Sequence, residues 1–146
     1  MISMNRRQMR EQTFKELFFR EFYEDCEYEK QLKLYLEEQE ELEEADRALL
    51  DARAEAVCEK IPQLDEKINE VAKGWKTNRM GKVDLAILRL AIFEMLYDEE
   101  IPEKVAINEA VELAKSYGTD ESPAFINGIL GKLVPDAESD LQSRTD

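Results

Sequence analysis

The three arginines near the start of the chain have the spacing that most clearly suggests a chemical role. Arg6, Arg7 and Arg10 lie within one short segment that should be helical. Residues three and four apart are neighbours on a helix, so we expect these guanidinium groups to crowd one exposed side. Cations are unfavourable at a helix N-terminus, where the backbone dipole is positive. Spacing alone leaves two interpretations open, ordinary solvated arginines or a site for an external anion.

The residue types that enzymes use most often are scarce. The chain contains no histidine, which removes the commonest acid–base group and the usual zinc and di-iron motifs. Neither a glycine-rich dinucleotide motif nor a P-loop motif occurs. Carboxylates are abundant, but a glutamate-rich helical protein offers many chance pairs. We therefore expect a protein that is not an enzyme and that uses no cofactor and no metal ion.

The overall charge argues against a general nucleic-acid binder. The 146 residues include 20 Lys and Arg against 34 Asp and Glu, a net charge of −14. Residues 24–70 contain 17 of these acidic residues and six basic ones, or −11. One alternative therefore stays open, a protein-only helical adaptor that binds a basic partner through this acidic surface.

Targeting signals are not visible in the sequence. No charged-then-apolar signal opens the chain, and no uncharged run approaches the roughly 20 residues of a membrane span. Cys26 and Cys58 are far apart and form no C-x-x-C pair, which favours two free thiols over a disulfide. We expect a cytoplasmic protein that does not contact the membrane.

Apolar periodicity, with only five Gly and four Pro, predicts an all-α protein. Residues 83–96 are apolar almost all round, so this helix belongs in the centre of a bundle, where Arg89 and Glu94 need partners. We predict a single compact domain over residues 1–134 and a disordered polar tail over 135–146. About seven helices are expected, near 5–22, 32–36, 42–56, 62–75, 83–96, 102–117 and 122–133.

Residues 101–133 have the local signals of a helix, a short loop and a second helix. Pro102 suits the first turn of a helix. Gly118 lies where a glycine in the left-handed conformation would end this helix. Ser122 and Pro123 are typical of an N-cap followed by a first helical residue. We therefore expect residues 119–121 to form the connection.

The same stretch carries a family resemblance. The sequence KVAINEAVELAKSYG followed by SPAFINGIL resembles the signature of the NusB family of bacterial transcription antitermination factors. VDLAILRLAIFEML at 83–96 is similar to the family's preceding helix, and NRRQMRE at 5–11 to its arginine-rich start. The resemblance covers most of residues 5–134, although 24–75 match only in length and character. It implies two packed helical subbundles with the first helix lying along them.

The resemblance also implies a function. Proteins of this family pair with NusE, a small-subunit ribosomal protein, and bind boxA RNA of ribosomal RNA leader transcripts. The complex joins the elongating RNA polymerase, which then reads through terminators. For NusE binding, the resemblance implies Asp84. For RNA binding, it implies Arg6, Arg7, Arg10, Glu121, Ser122 and Phe125.

Two alternatives to these assignments stay open. Phe125 could stack on a base, although its helical spacing with Ile129 fits a core position nearly as well. A NusB-like domain also occurs fused to ribosomal RNA cytosine methyltransferases. That enzymatic alternative needs a second, catalytic domain, for which we expect 146 residues to leave no room.

Overall fold

The computed structural model describes residues 5–22, 44–72 and 80–134, and within these ranges the chain is helical with no strand. This confirms the predicted all-α fold. The short helix expected near 32–36 and the tail expected at 135–146 lie outside the described residues. Six helices are described: α1 (Arg6–Phe22), α2 (Glu44–Glu59), α3 (Ile61–Val71), α4 (Lys82–Tyr97), α5 (Glu103–Tyr117) and α6 (Ser122–Lys132).

The chain divides into two compact units, with the boundary between Ile61 and Pro62. The first unit contains α1 and α2, which pack on each other. The second contains α4, α5 and α6, which pack together, and all of α3 beyond its first residue. The extent of a single domain over residues 1–134 stays a prediction. None of the described helices is both long and apolar enough to cross a membrane.

In the first unit, α1 buries the face that its sequence predicts, with Phe14 and Leu17 in the core. The buried face of α2 differs from the expected one. In the sequence, Leu42, Ala45, Leu49, Ala52 and Ala56 have helical spacing and predict a stripe through Leu49. Leu49 is instead exposed, and Leu50 is fully buried. The alanine-rich α2 offers two adjacent apolar stripes, about 100° apart, so the pattern alone does not distinguish them.

A buried carboxyl group lies where α1 meets α2. Glu16 is almost fully buried. Burial raises the pKa of Glu16 from 4.5 to about 8, and a side-chain hydrogen bond with Asp51 and the charge of Asp51 act in the same direction. Arg20, whose guanidinium also pairs with Glu55 at 3.2 Å, partly opposes the rise. At neutral pH, Glu16 is therefore protonated in the folded protein.

In the second unit, α4 is the central helix. Every residue from Leu85 to Glu94 is buried, as the all-round apolar sequence predicts. Arg89 finds the partner that its burial requires, because its Nε and Nη2 each donate a 2.8 Å hydrogen bond to the carboxylate of Asp65 on α3. Such a two-point contact fixes the orientation of both side chains. Residues of α5 and α6 cover much of the rest of α4.

Replacing a buried leucine of α4 by aspartate should unfold the second unit. Leu90 is 1% exposed, so Leu90→Asp places a charge where no water can solvate it, at a cost of several kcal/mol. Leu96, on the same helix, is 51% exposed, and Leu96→Asp should change stability by less than about 0.5 kcal/mol. Thermal melts followed by circular dichroism test the pair. Equal melting temperatures for the two variants would contradict the placement of α4.

The buried Glu16 should make stability depend on pH. Below pH 4.5 both the folded and the unfolded chain hold the proton, and the contribution to stability is complete. Above pH 4.5 the unfolded chain loses the proton first, so this contribution falls until the pH passes about 8. Glu16→Gln should therefore be more stable than the parent at pH 8, by about 2–4 kcal/mol, and similar to it at pH 4.5.

Urea unfolding at both pH values measures this difference. Glu59→Gln is the matched control, because Glu59 is an exposed glutamate of α2. Its pH profile should follow that of the parent. A Glu16→Gln profile parallel to that of the parent would show that the side chain is not buried as described.

Candidate functional site

One surface depression in the second unit brings together the residues of this unit that the resemblance selects. It has a volume of about 160 Å³. Small-molecule pockets typically measure about 300–1,000 Å³, so this one suits a single side chain or the edge of one base. We call it the α4–α6 depression. It is lined by the start of α4, the α5–α6 loop and the first turn of α6, with the residues Met80, Gly81, Asp84, Thr119, Glu121, Ser122 and Phe125.

Asp84 lies in the first turn of α4, where the positive end of the helix dipole favours an anion. Gly81 precedes the helix, and its carbonyl accepts the N–H of Leu85 at 3.0 Å. Oδ1 of Asp84 is buried and has no hydrogen-bond partner in the described part of the chain. An unsatisfied buried oxygen is costly, which makes this carboxylate a candidate for a functional role.

The opposite wall of the depression begins at the α5–α6 loop, where the structure corrects two expectations. Gly118 is extended, with φ −94° and ψ −166°, and is not left-handed. Ser122 is the first residue of α6 and not its N-cap, a position that Glu121 occupies without a side-chain capping bond. The Ser122 hydroxyl instead accepts the N–H of Thr119 at 3.0 Å. It therefore bonds backward to the loop and does not cap α6.

Two carboxylates give the depression a negative character. Glu121 is exposed and shares the lining with Asp84, and no cation occurs among the described lining residues. Phe125 is half-buried, so part of its ring faces solvent and part lies in the protein. The arrangement can accept a cationic side chain and can offer an aromatic surface for stacking. Among the described residues, no group of three or more His, Cys, Asp or Glu could hold a metal ion.

The arginines lie on α1 in the first unit, and they are not equivalent. Arg6 and Arg7 are exposed, as expected. Arg10 is only 9% exposed, so the expectation that all three crowd an exposed side is wrong for Arg10. The reason is helical spacing, since Arg10 stands three, four and seven residues before the buried Thr13, Phe14 and Leu17.

Two local hydrogen-bonding patterns were not predicted from the sequence. Asn5 Oδ1 accepts the N–H of Gln8 at 2.8 Å, and Gln8 Oε1 accepts the N–H of Asn5 at 3.0 Å. This reciprocal capping box fixes the start of α1, where Arg6 and Arg7 lie. The second pattern joins Thr119 to Ser122, three residues later. The N–H of Thr119 donates to the Ser122 hydroxyl. In both cases a polar residue is followed three positions later by its partner.

Comparison with known proteins places these features in a family. Residues 7–135 match the model of the NusB family. The transcription antitermination protein NusB of Lachnoclostridium phytofermentans is 47% identical over 131 residues, which is 90% of this chain and 99% of that protein.

Solved structures agree with that match. NusB of T. maritima superposes with a TM-score of 0.80 at 35% identity, covering 92% of this chain and 93% of that one. A structure of the antitermination factors NusB and NusE in complex with double-stranded RNA gives a TM-score of 0.73 at 20% identity, covering 90% and 96%. At that identity the second likeness concerns the fold alone. The match across most of the chain and the close relative show that this chain belongs to the NusB family.

Proposed function

We propose that this chain is an RNA-binding transcription antitermination factor that acts together with NusE. The observation that carries the proposal is the α4–α6 depression, which gathers Asp84, Glu121, Ser122 and Phe125 on one surface of a NusB-family chain. A homologous fold has been solved with NusE and double-stranded RNA. The boxA segment of ribosomal RNA leader transcripts is the proposed target.

The partner surface is proposed to include Asp84. Its buried Oδ1 lacks a donor within the described part of the chain, and Glu121 adds a second negative charge to the same depression. A lysine or arginine of NusE would neutralise the charge of these two carboxylates. The net charge of −14 favours a basic partner in general.

RNA is proposed to contact Arg6 and Arg7 in the first unit and, separately, the exposed part of Phe125 in the second. Arg6 and Arg7 would meet phosphates, and Phe125 would stack on an unpaired base. Arg10 is buried with the α1 core, so its contribution would be to hold α1 and the exposed arginines in place. Glu121 would weaken RNA binding until a cation of the partner neutralises it.

The chain is proposed to work by binding, without catalysis, in the cytoplasm where transcription takes place. Joined to NusE and RNA, it would become part of the elongating RNA polymerase complex. We infer this last step from the family resemblance and from the similarity to a transcription antitermination protein.

A binding titration tests the proposal. The chain should bind boxA RNA more tightly than a scrambled RNA of the same length, and NusE should increase the affinity for boxA RNA. Fluorescence anisotropy with labelled RNA, with and without NusE, measures both effects. NusE binding with no RNA binding under any condition would favour the protein-only adaptor.

The salt dependence of RNA binding should identify the phosphate contacts. Each phosphate contact to single-stranded RNA contributes about 0.7 to the slope of log affinity against log salt concentration. Replacing both Arg6 and Arg7 by alanine should therefore lower that slope by up to about 1.4. Salt titrations of boxA RNA with the NusE complex measure it.

The control for this variant removes two exposed lysines from α5, Lys104 and Lys115. It changes the net charge by the same amount but should leave the slope close to that of the parent. An unaltered slope in the double-arginine variant would place the RNA on another surface.

Reversing the charge of Asp84 should disrupt partner binding. Asp84→Lys would put a cation opposite the proposed cation of NusE, and we expect the affinity for NusE to fall at least tenfold. Glu112→Lys makes the same charge change at an exposed position of α5, and this variant should bind NusE as the parent does. Isothermal calorimetry measures both, and circular dichroism checks the helical content. Undiminished affinity of Asp84→Lys would move the interface elsewhere.

A further inference from the structure

The loop between α5 and α6 is closed by a reciprocal set of hydrogen bonds between Thr119 and Ser122. The N–H of Ser122 donates to the carbonyl of Thr119 at 3.1 Å, and the N–H of Thr119 donates to Ser122 Oγ at 3.0 Å. The two hydroxyl oxygens are also 3.2 Å apart. Ser122 is 2% exposed. Its hydroxyl is therefore buried and already engaged within the protein.

Gly118 is part of the same arrangement. Its φ of −94° is available to any residue, so backbone conformation does not require a glycine there. A Cβ atom at this position, however, would lie 2.5 Å from Ser122 Oγ, 2.6 Å from Ser122 Cβ and 2.8 Å from the carbonyl oxygen of Ala114. Glycine is needed because Ser122 packs directly against its backbone.

The position of Ser122 sets the positions of its neighbours on the depression. Glu121 immediately precedes Ser122, and its carbonyl accepts the N–H of Phe125 at 3.1 Å. Glu121 and Phe125 both line the α4–α6 depression. Any displacement of Ser122 would therefore move the carboxylate and the aromatic ring together.

We propose that Ser122 is a positioning residue for RNA binding and does not contact the RNA. Packed on Gly118 and bonded to Thr119, it holds the α5–α6 loop so that Glu121 and Phe125 present a fixed surface. This inference rests on the proposed function, because it concerns the same depression. A positioning role is compatible with the burial of Ser122, and it accounts for the glycine at position 118, against which Ser122 packs.

Two substitutions disturb the loop without touching a side chain that would face RNA. Ser122→Ala removes the acceptor of the Thr119 amide, and Gly118→Ala forces Ser122 away. Loss of one such hydrogen bond corresponds to roughly a three- to tenfold change in an equilibrium constant. We expect each variant, in complex with NusE, to bind boxA RNA about three- to tenfold more weakly. The salt slope should not change, since no charge is removed.

Gly128→Ala is the matched control. Gly128 also lies in α6, but a Cβ there would meet no atom within 4 Å. This variant should bind RNA as the parent does. Circular dichroism and thermal melts establish that each variant is folded at the temperature of the titration. If Gly118→Ala does not fold, Ser122→Ala carries the test alone.

Hydrogen exchange of the Thr119 amide separates positioning from contact. In Ser122→Ala without RNA, this amide should exchange faster than in the parent, because its acceptor is gone. Weaker RNA binding with unchanged Thr119 exchange would make Ser122 a direct RNA contact and overturn the inference. Parent-like RNA affinity in folded Ser122→Ala would also overturn it, while the proposed function would stand. If the parent complex itself binds no boxA RNA, the proposed function fails and this inference fails with it.

Discussion

The two-point ion pair between Arg89 and Asp65 makes the centre of the second unit possible. α4 is buried on all sides between Leu85 and Glu94, and Arg89 lies in the middle of that stretch. A buried charge is strongly unfavourable unless a partner of good geometry satisfies it. Asp65 on α3 meets this need with two 2.8 Å hydrogen bonds. The two-point contact also fixes how the two charged groups face each other, since a guanidinium and a carboxylate meet this way in few orientations.

A helix buried along its length can offer chemistry mainly at its ends. The start of α4 places Asp84 at the surface, and the packing of α5 and α6 on α4 brings the α5–α6 loop to the same place. The α4–α6 depression is thus a consequence of how the core is built, with Asp84 in the first turn of α4 and Glu121 at the N-cap of α6. A preorganised surface of this kind loses little entropy when it binds a partner.

Much of this organisation could be predicted from sequence. The all-round apolarity of 83–96 indicated a central helix, and the charge of Arg89 indicated the need for a partner. The identity of Asp65 could not be predicted, because 34 acidic residues offered too many candidates. The role of Gly118 also could not be predicted from the sequence. A helix-ending glycine is often left-handed, and only the tertiary position of Ser122 reveals the close approach that requires it here. The burial of Arg10, by contrast, could have been predicted from its helical spacing to Thr13, Phe14 and Leu17.

We propose that NusE and RNA both bind at the α4–α6 depression. Backbone amide spectra of the isotope-labelled chain test it most directly, with unlabelled NusE added first and boxA RNA second. NusE should shift the amides around Asp84, and RNA should then shift those of Thr119 to Phe125 and of Arg6 and Arg7. Shifts confined to other surfaces, such as the far end of α4 around Leu96, would contradict it.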